Sequence, residues 1–331
     1  METKIGILLT NLGTPKSPNK ADVKAYLAEF LTDKRVVNAP NKFAWWLVLN
    51  LIILNTRPKK SAINYAKIWG RFGSGSPLLD ITELQLLGVK KILQKSHDNL
   101  EFEIGMRYGK PSISKALNNL KSMNCRRIII FPLYPQNAGA TTLSTLDTVN
   151  LEINNWSDCP EINFIYDYHQ NNGYINSLAN SIIEHQKVNG KPEKLIMSFH
   201  GMPQSYVDNG DVYYEQCLNT SKLLAKALNL DPNDYLLSFQ SIFGKEEWIK
   251  PYTEVTLKSL ASSGTKHVQV ICPGFSADCL ETLEEIEIEN RNYFLNAGGD
   301  NFSYIPALNI RNDHLCALSN IISDKINITT K

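Results

Sequence analysis

Short apolar, β-branched runs that end in Gly or Pro turns alternate along the chain with longer stretches whose apolar positions recur at helical spacing. The runs include Ile5–Leu9, Phe102–Ile104, Arg127–Phe131, Ile162–Tyr166, Leu195–Phe199, Tyr235–Leu237 and Val268–Cys272. Between them lie segments such as Ala21–Phe30, Ile81–Leu93, Tyr174–Gln186, Glu215–Leu228 and Thr253–Ala261. Runs without polar alternation suit strands covered on both faces, and strands separated by helices predict parallel βαβ units. The pattern therefore predicts an α/β fold built on doubly wound parallel sheets.

The pattern also repeats itself. Asn11-Leu-Gly13-Thr-Pro15 and Phe199-His-Gly201-Met-Pro203 each follow a strand, at an offset of 188. Met106-Arg-Tyr-Gly109-Lys110 recurs as Ser241-Ile-Phe-Gly244-Lys245 at an offset of 135, and Ile130-Phe-Pro132 as Ile271-Cys-Pro273 at 141. Three matches in one order, each at a strand end, predict two copies of one unit. The expected division is residues 1–155, residues 156–310, and a C-terminal helix over 311–331 packing across the domains. The fall in offset, 188 − 135 = 53, gives the first copy about 53 extra residues between its first strand and its Gly-Lys turn.

That extra segment, about 35–78, holds the most apolar stretch of the chain, Phe43–Leu54, followed by Arg57, Lys59 and Lys60. A bilayer-spanning helix needs roughly 20 apolar residues, so this one is too short to cross. An apolar insertion that the second copy folds without is expected to be an exposed lip with a basic edge, facing a flat apolar ligand or a membrane surface.

Composition narrows the chemistry. With 34 Lys+Arg against 33 Asp+Glu in 331 residues, the chain lacks the basic excess of a nucleic-acid binder. No secretory signal is visible, and the six Cys contain no Cys-x-x-Cys pair, which argues for a reducing cytosol and against a thiolate-bound cluster.

Ligands of open α/β sheets bind beyond the carboxyl ends of the strands. At aligned positions there, the first copy has Leu12 and Ala140 where the second has His200 and Glu281, so the chemistry is expected in the second copy. His200 lies in a tight Phe-His-Gly-Met-Pro turn that restrains the ring. Asp278, Glu281, Glu285 and Glu289 fall at spacings of three and four, predicting one acidic helix face able to pass cations or protons. Glu284 and Glu287 read as ordinary solvated positions, and Asp278 or Ser276 as the helix cap. Gly70-Arg-Phe-Gly-Ser-Gly75-Ser76-Pro77 lacks the strand and the Gly-Lys-Ser/Thr ending of a phosphate loop. It is expected to wall a cleft, with Ser76 and backbone N–H groups meeting a ligand carboxylate.

Taken together, Leu8-Leu-Thr-Asn-Leu-Gly-Thr-Pro15, Gly75-Ser-Pro-Leu78, Met106-Arg-Tyr-Gly109, Phe131-Pro-Leu-Tyr-Pro-Gln136, Ser198-Phe-His-Gly-Met-Pro203 and Gly274-Phe-Ser-Ala-Asp-Cys-Leu-Glu-Thr-Leu-Glu284 resemble the ferrochelatase family, its bacterial branch, over almost the whole chain. The resemblance implies two Rossmann-like domains of class II chelatase type related by a pseudo-two-fold axis, with porphyrin in the cleft between them and a membrane-facing lip over residues 43–60. It implies insertion of Fe²⁺ into protoporphyrin IX to give protohaem, the last step of haem biosynthesis. His200 and Glu281 map onto the family's invariant pair, for catalysis and metal binding. Asp278, Glu285 and Glu289 map onto its acidic track, and Arg107-Tyr108 onto its cleft lining.

On this reading Leu12 and Phe275 clamp the ring, and Arg57, Arg71 or Ser76 meet propionates. Iron is substrate, with no tightly bound cofactor, and no iron–sulfur cluster is expected because Cys316 is the last Cys. Cys279 stands where the mitochondrial branch carries a second His. The resemblance further implies a cytoplasmic protein, peripheral on the inner membrane face, that receives porphyrin from the preceding oxidase. Rival readings are a coproporphyrin ferrochelatase, a cobalt or nickel chelatase, a haem carrier, and last a nucleotide-dependent oxidoreductase. Extra His ligands would favour the cobalt or nickel enzyme, and the carboxylate row disfavours the carrier.

Overall fold

The computed structural model describes residues 3–244 and 246–328; Lys245, part of the Gly-Lys repeat, lies outside the described residues. The chain divides into two units. One comprises residues 1–133, 138–167 and 318–331, the other residues 134–137 and 168–317.

The first unit holds four parallel strands: β1 (Ile5–Thr14), β2 (Leu100–Gly109), β3 (Arg127–Pro132) and β4 (Glu161–Phe164), in the order β2-β1-β3-β4. β1 pairs with β2 from Ile5↔Leu100 to Thr14↔Gly109, and with β3 from Ile5↔Arg127 to Thr10↔Pro132. Ile7, Leu8, Leu9, Ile128, Ile129 and Ile130 are all fully buried, as expected of strands covered by helices on both faces. Leu8, Ile128 and Ile130 pack against Ile113, Ala116, Leu117 and Leu120 of the helix Ile113–Ser122.

The second unit repeats the plan with β5 (Lys194–His200), β6 (Tyr235–Gln240), β7 (His267–Ile271) and β8 (Asn301–Ile305), in the order β6-β5-β7-β8. All its pairings are parallel. Because the two orders are the same, the duplication read from three short matches is a duplication of topology. β8 adds a strand to the seven runs seen in the sequence.

The two copies differ between their first and second strands. From β5 to β6 the chain forms the helices Gln204–Asp208 and Tyr213–Ala227. From β1 to β2 it forms Lys20–Thr32, Lys42–Leu47, a π-wound turn Val48–Ile53, Leu54–Ile68 and Pro77–Leu93. Asn41 opens the apolar segment by accepting the Ala44 N–H at 2.9 Å, and Leu49 and Leu54 anchor it against Leu31. Phe43 (70%), Trp46 (55%), Leu51 (66%) and Ile52 (57%) stand exposed instead. Arg57, Lys59 and Lys60 on the following helix are also exposed. Among the described residues, no helix is long and apolar enough to cross a membrane.

Candidate active site

In each sheet the chain reverses its direction of winding between two adjacent strands, and ligands bind at such a switch point. In the second unit the switch lies between β5 and β7, which are paired from Lys194↔Val268 to Met197↔Ile271. The segments leaving these two strands carry His200 and the Cys272–Glu281 stretch.

His200 is the last residue of β5, and its ring is half-buried. Its Nδ1 lies 2.6 Å from the Gly201 carbonyl oxygen, which accepts only, so Nδ1 carries a proton and, in the neutral form of the ring, the lone pair falls on Nε2. Gly201 follows because nothing larger fits: a Cβ there would lie 2.8 Å from the Gln240 carbonyl oxygen and 3.0 Å from the Trp248 ring. The Phe275 ring stands 6.5 Å from the imidazole, centroid to centroid.

The segment after β7 is held from several sides. The Tyr174 hydroxyl donates to the Pro273 carbonyl, and the Asn309 N–H donates to the Ser276 carbonyl at 3.1 Å. Asp278 is fully buried: Oδ1 accepts from Tyr304 (2.7 Å) and Thr282 (2.9 Å), and Oδ2 from Asn309 Nδ2 (2.7 Å). Asn309 Oδ1 in turn accepts the Asp278 N–H at 2.8 Å. Here the structure corrects the reading of an acidic row headed by Asp278. This carboxylate precedes the helix, and its lone pairs are taken by neutral donors that fasten the segment to β8 and to Asn309.

The helix itself, Glu281–Asn290, is wound as a π-helix, which no feature of the sequence signals. Along it, Glu285 feels the charges of both Glu281 and Glu289. Burial is the largest effect on Glu285, and with its acidic neighbours it outweighs two bonds from Ser241 to push the carboxyl up to about 7. Ser241 donates its N–H to Oε1 at 2.6 Å and its hydroxyl to Oε2. It does so from a left-handed backbone, φ 65°, which is strained for a residue with a Cβ. Tyr293 donates to Glu289 at 2.9 Å. Glu284, expected on the solvated face, is 5% exposed.

Sequence reasoning missed Gln240, which is 2% exposed at the end of β6 and in register with His200. Its Nε2 donates to the Glu281 carbonyl at 2.8 Å, joining the helix start to the strand ends. Among the described residues, no three His, Cys, Asp or Glu side chains converge as a ready metal cage.

In the first unit Leu12 is half-buried near the end of β1. Arg107 and Tyr108 form a closed network rather than an open lining. Both donate to Asp33 Oδ2 (Tyr108 at 2.8 Å), and Arg107 Nε donates to Ser144 Oγ at 2.6 Å. Tyr108 is fully buried. Burial alone would raise Asp33, but hydrogen bonds from Ser144, the Arg35 N–H and Tyr108, with the Arg107 charge, hold it below the usual carboxylate range. Ser76, expected to meet a ligand carboxylate, is 2% exposed at the start of the helix Pro77–Leu93. The Gly75 N–H instead donates to the chain's own Asp80 at 3.0 Å. Arg57 and Arg71 are exposed.

The doubled α/β sheet thus carries an imidazole at the end of β5 and a row of carboxylates on the helix that follows β7. Solved structures share this fold. SirB from Bacillus subtilis with Fe³⁺ matches over 98% of this chain and 96% of that one, with a TM-score of 0.59 and 10% identity. CbiX, the terminal enzyme for biosynthesis of siroheme in denitrifying bacteria, matches over 98% and 100%, with a TM-score of 0.54 and 12% identity. Residues 4–326 match the family model for ferrochelatase. The ferrochelatase of Hydrogenovibrio crunogenus is 57% identical over 97% of this chain and 85% of its own length. That of Pseudoalteromonas atlantica is 47% identical over 98% and 89%. The chain belongs to the ferrochelatase family, and it is a lyase of haem biosynthesis that inserts iron into a porphyrin.

Proposed function

We propose that the porphyrin is protoporphyrin IX and that His200 and Glu281 carry the insertion. Metallation forms bonds from Fe²⁺ to the pyrrole nitrogens and releases two protons from the ring. The unprotonated Nε2 of His200 accepts a pyrrole proton, and Glu281 holds the incoming ion beside it. Glu285, poised near neutrality between Glu281 and Glu289, takes protons or cations along the helix. Phe275, close to the imidazole, presses an aromatic face on the macrocycle, and bending of the ring exposes nitrogen lone pairs that a planar ring hides. Arg107 and Tyr108 serve by fixing Asp33 rather than by touching the ring. Arg57 and Arg71 remain the exposed candidates for propionates.

The observation that carries this reading is the Nδ1–H bond from His200 to the Gly201 carbonyl, which selects the neutral tautomer whose lone pair is on Nε2. The exposed Phe43–Ile52 ridge and its basic edge serve as the contact with the inner membrane face, where an apolar porphyrin passes from the preceding oxidase. The test is an anaerobic insertion assay with Fe²⁺ and either protoporphyrin or coproporphyrin, followed by absorbance. His200→Ala should lose at least a hundredfold in kcat while still binding porphyrin. Normal turnover by that variant would end the proposal, and a preference for the four-propionate substrate would overturn the choice of protoporphyrin.

A further inference from the structure

We infer that Gln240 is a positioning residue that sets the placement of Glu281 relative to His200; the inference rests on the roles just proposed for those two. Four parts of the site meet on this one side chain and its backbone. Its Oε1 accepts from the Ser198 hydroxyl of β5 at 2.7 Å and from the Cys272 thiol, next after β7, at 3.4 Å. Its Nε2 donates to the carbonyl of Glu281, the first residue of the carboxylate helix, at 2.8 Å. Its own carbonyl accepts the Gly201 N–H, one residue past His200, at 2.7 Å.

The Glu281 carbonyl fixes the orientation of the amide, since it only accepts and turning the amide over would set Oε1 against it. Ser198 is itself held by Thr253 Oγ1 at 2.8 Å, so Oε1 sits on a fixed point. With the residue 2% exposed, no water replaces a lost bond at low cost. What requires an amide here is an acceptor facing the strand and a donor facing the helix start.

The test compares Gln240→Met, which keeps length and bulk but loses both polar functions, with Gln240→Glu, which keeps the acceptors but loses the donor to Glu281. His200→Ala and Glu281→Asp are run beside them. Porphyrin affinity is read by fluorescence quenching, and kcat and the KM for Fe²⁺ by the insertion assay. The expected result is a fall in kcat of roughly 10- to 100-fold in both Gln240 variants with porphyrin affinity unchanged, as for misplacement of a reacting group by about 1 Å. In a Glu281→Asp background, Gln240→Met should add less than about threefold, because the residue acts through Glu281.

Three results would overturn the inference: wild-type kcat in Gln240→Met; a kcat loss matched by an equal loss of porphyrin affinity; or full additivity with Glu281→Asp. Unimpaired turnover by His200→Ala would instead overturn the roles on which it rests, and the two failures are thereby told apart.

Discussion

Replacing Glu285 with Gln should make the protein more stable at alkaline pH and less active. Burial and the charges of Glu281 and Glu289 raise this carboxyl from its ordinary 4.5 to about 7. Between those values the unfolded chain has lost the proton while the folded chain keeps it. Stability present below about 4.5 is therefore lost as pH rises through about 7. Each pKa unit corresponds to about 1.4 kcal/mol, so the loss is on the order of 3 kcal/mol, reduced somewhat because the side chain is half-buried. The substituted amide carries no charge, so this loss disappears, but its NH₂ faces one of the two Ser241 donors, at a cost of about 1 kcal/mol. Thermal midpoints of chelator-treated protein should then cross: the variant slightly below wild type at pH 5, and above it at pH 8. Insertion activity should fall because the row loses its central ionisable group. Parallel curves, or a variant less stable at both pH values, would refute the electrostatic account of the row.

Asp278→Ala strands the donors of Tyr304, Asn309 and Thr282 in a dry site and should cost about 3–5 kcal/mol, read as a fall in thermal midpoint. An unchanged midpoint with lost activity would restore Asp278 to an ion track. His314 is fully buried, and that burial, only partly opposed by its bond to the Asn309 carbonyl, lowers it to about 4. It contributes stability above pH 6.5 that is lost as pH falls toward 4, so His314→Gln should flatten the acid side of the midpoint-against-pH curve. Changing Phe43, Trp46, Leu51 and Ile52 together to Ser should lower partition onto anionic vesicles at least tenfold, measured by co-sedimentation, while the folded midpoint stays put. Undiminished partition would remove the ridge from any membrane contact.

The architecture was readable because parallel strands covered on both faces have to be written in hydrocarbon, and Ile7-Leu8-Leu9 or Ile128-Ile129-Ile130 admit few other uses. The same rule explains where the reading stopped short. β1 was expected to end at Leu9 and runs to Thr14, because Asn11 is buried with its amide on Thr82 (3.1 Å). β6 was expected to end at Leu237 and runs to Gln240, because Ser238 and Gln240 are buried within a polar network that includes Ser198 and Thr253. Polar side chains at strand ends look like turns when each is scored alone.

The candidate site was legible to the same degree and no further. His200 and Glu281 stood out because a duplicated chain supplies its own control: at the matching positions the other copy has Leu12 and Ala140. No such control existed for Asp278, whose i, i+3 spacing to Glu281 assumes a helix already begun; the helix starts at Glu281, and Tyr304 and Asn309 claim the carboxylate from elsewhere in the chain. Glu284 fails as a solvated position for the same reason, being polar in type and buried in place. Hydrophobic periodicity reports what a side chain leaves behind in water, whereas a buried polar group is defined by the partner that replaces water. That partner is distant in sequence, and so the residues that hold a reactive pair in position are the ones a single sequence conceals.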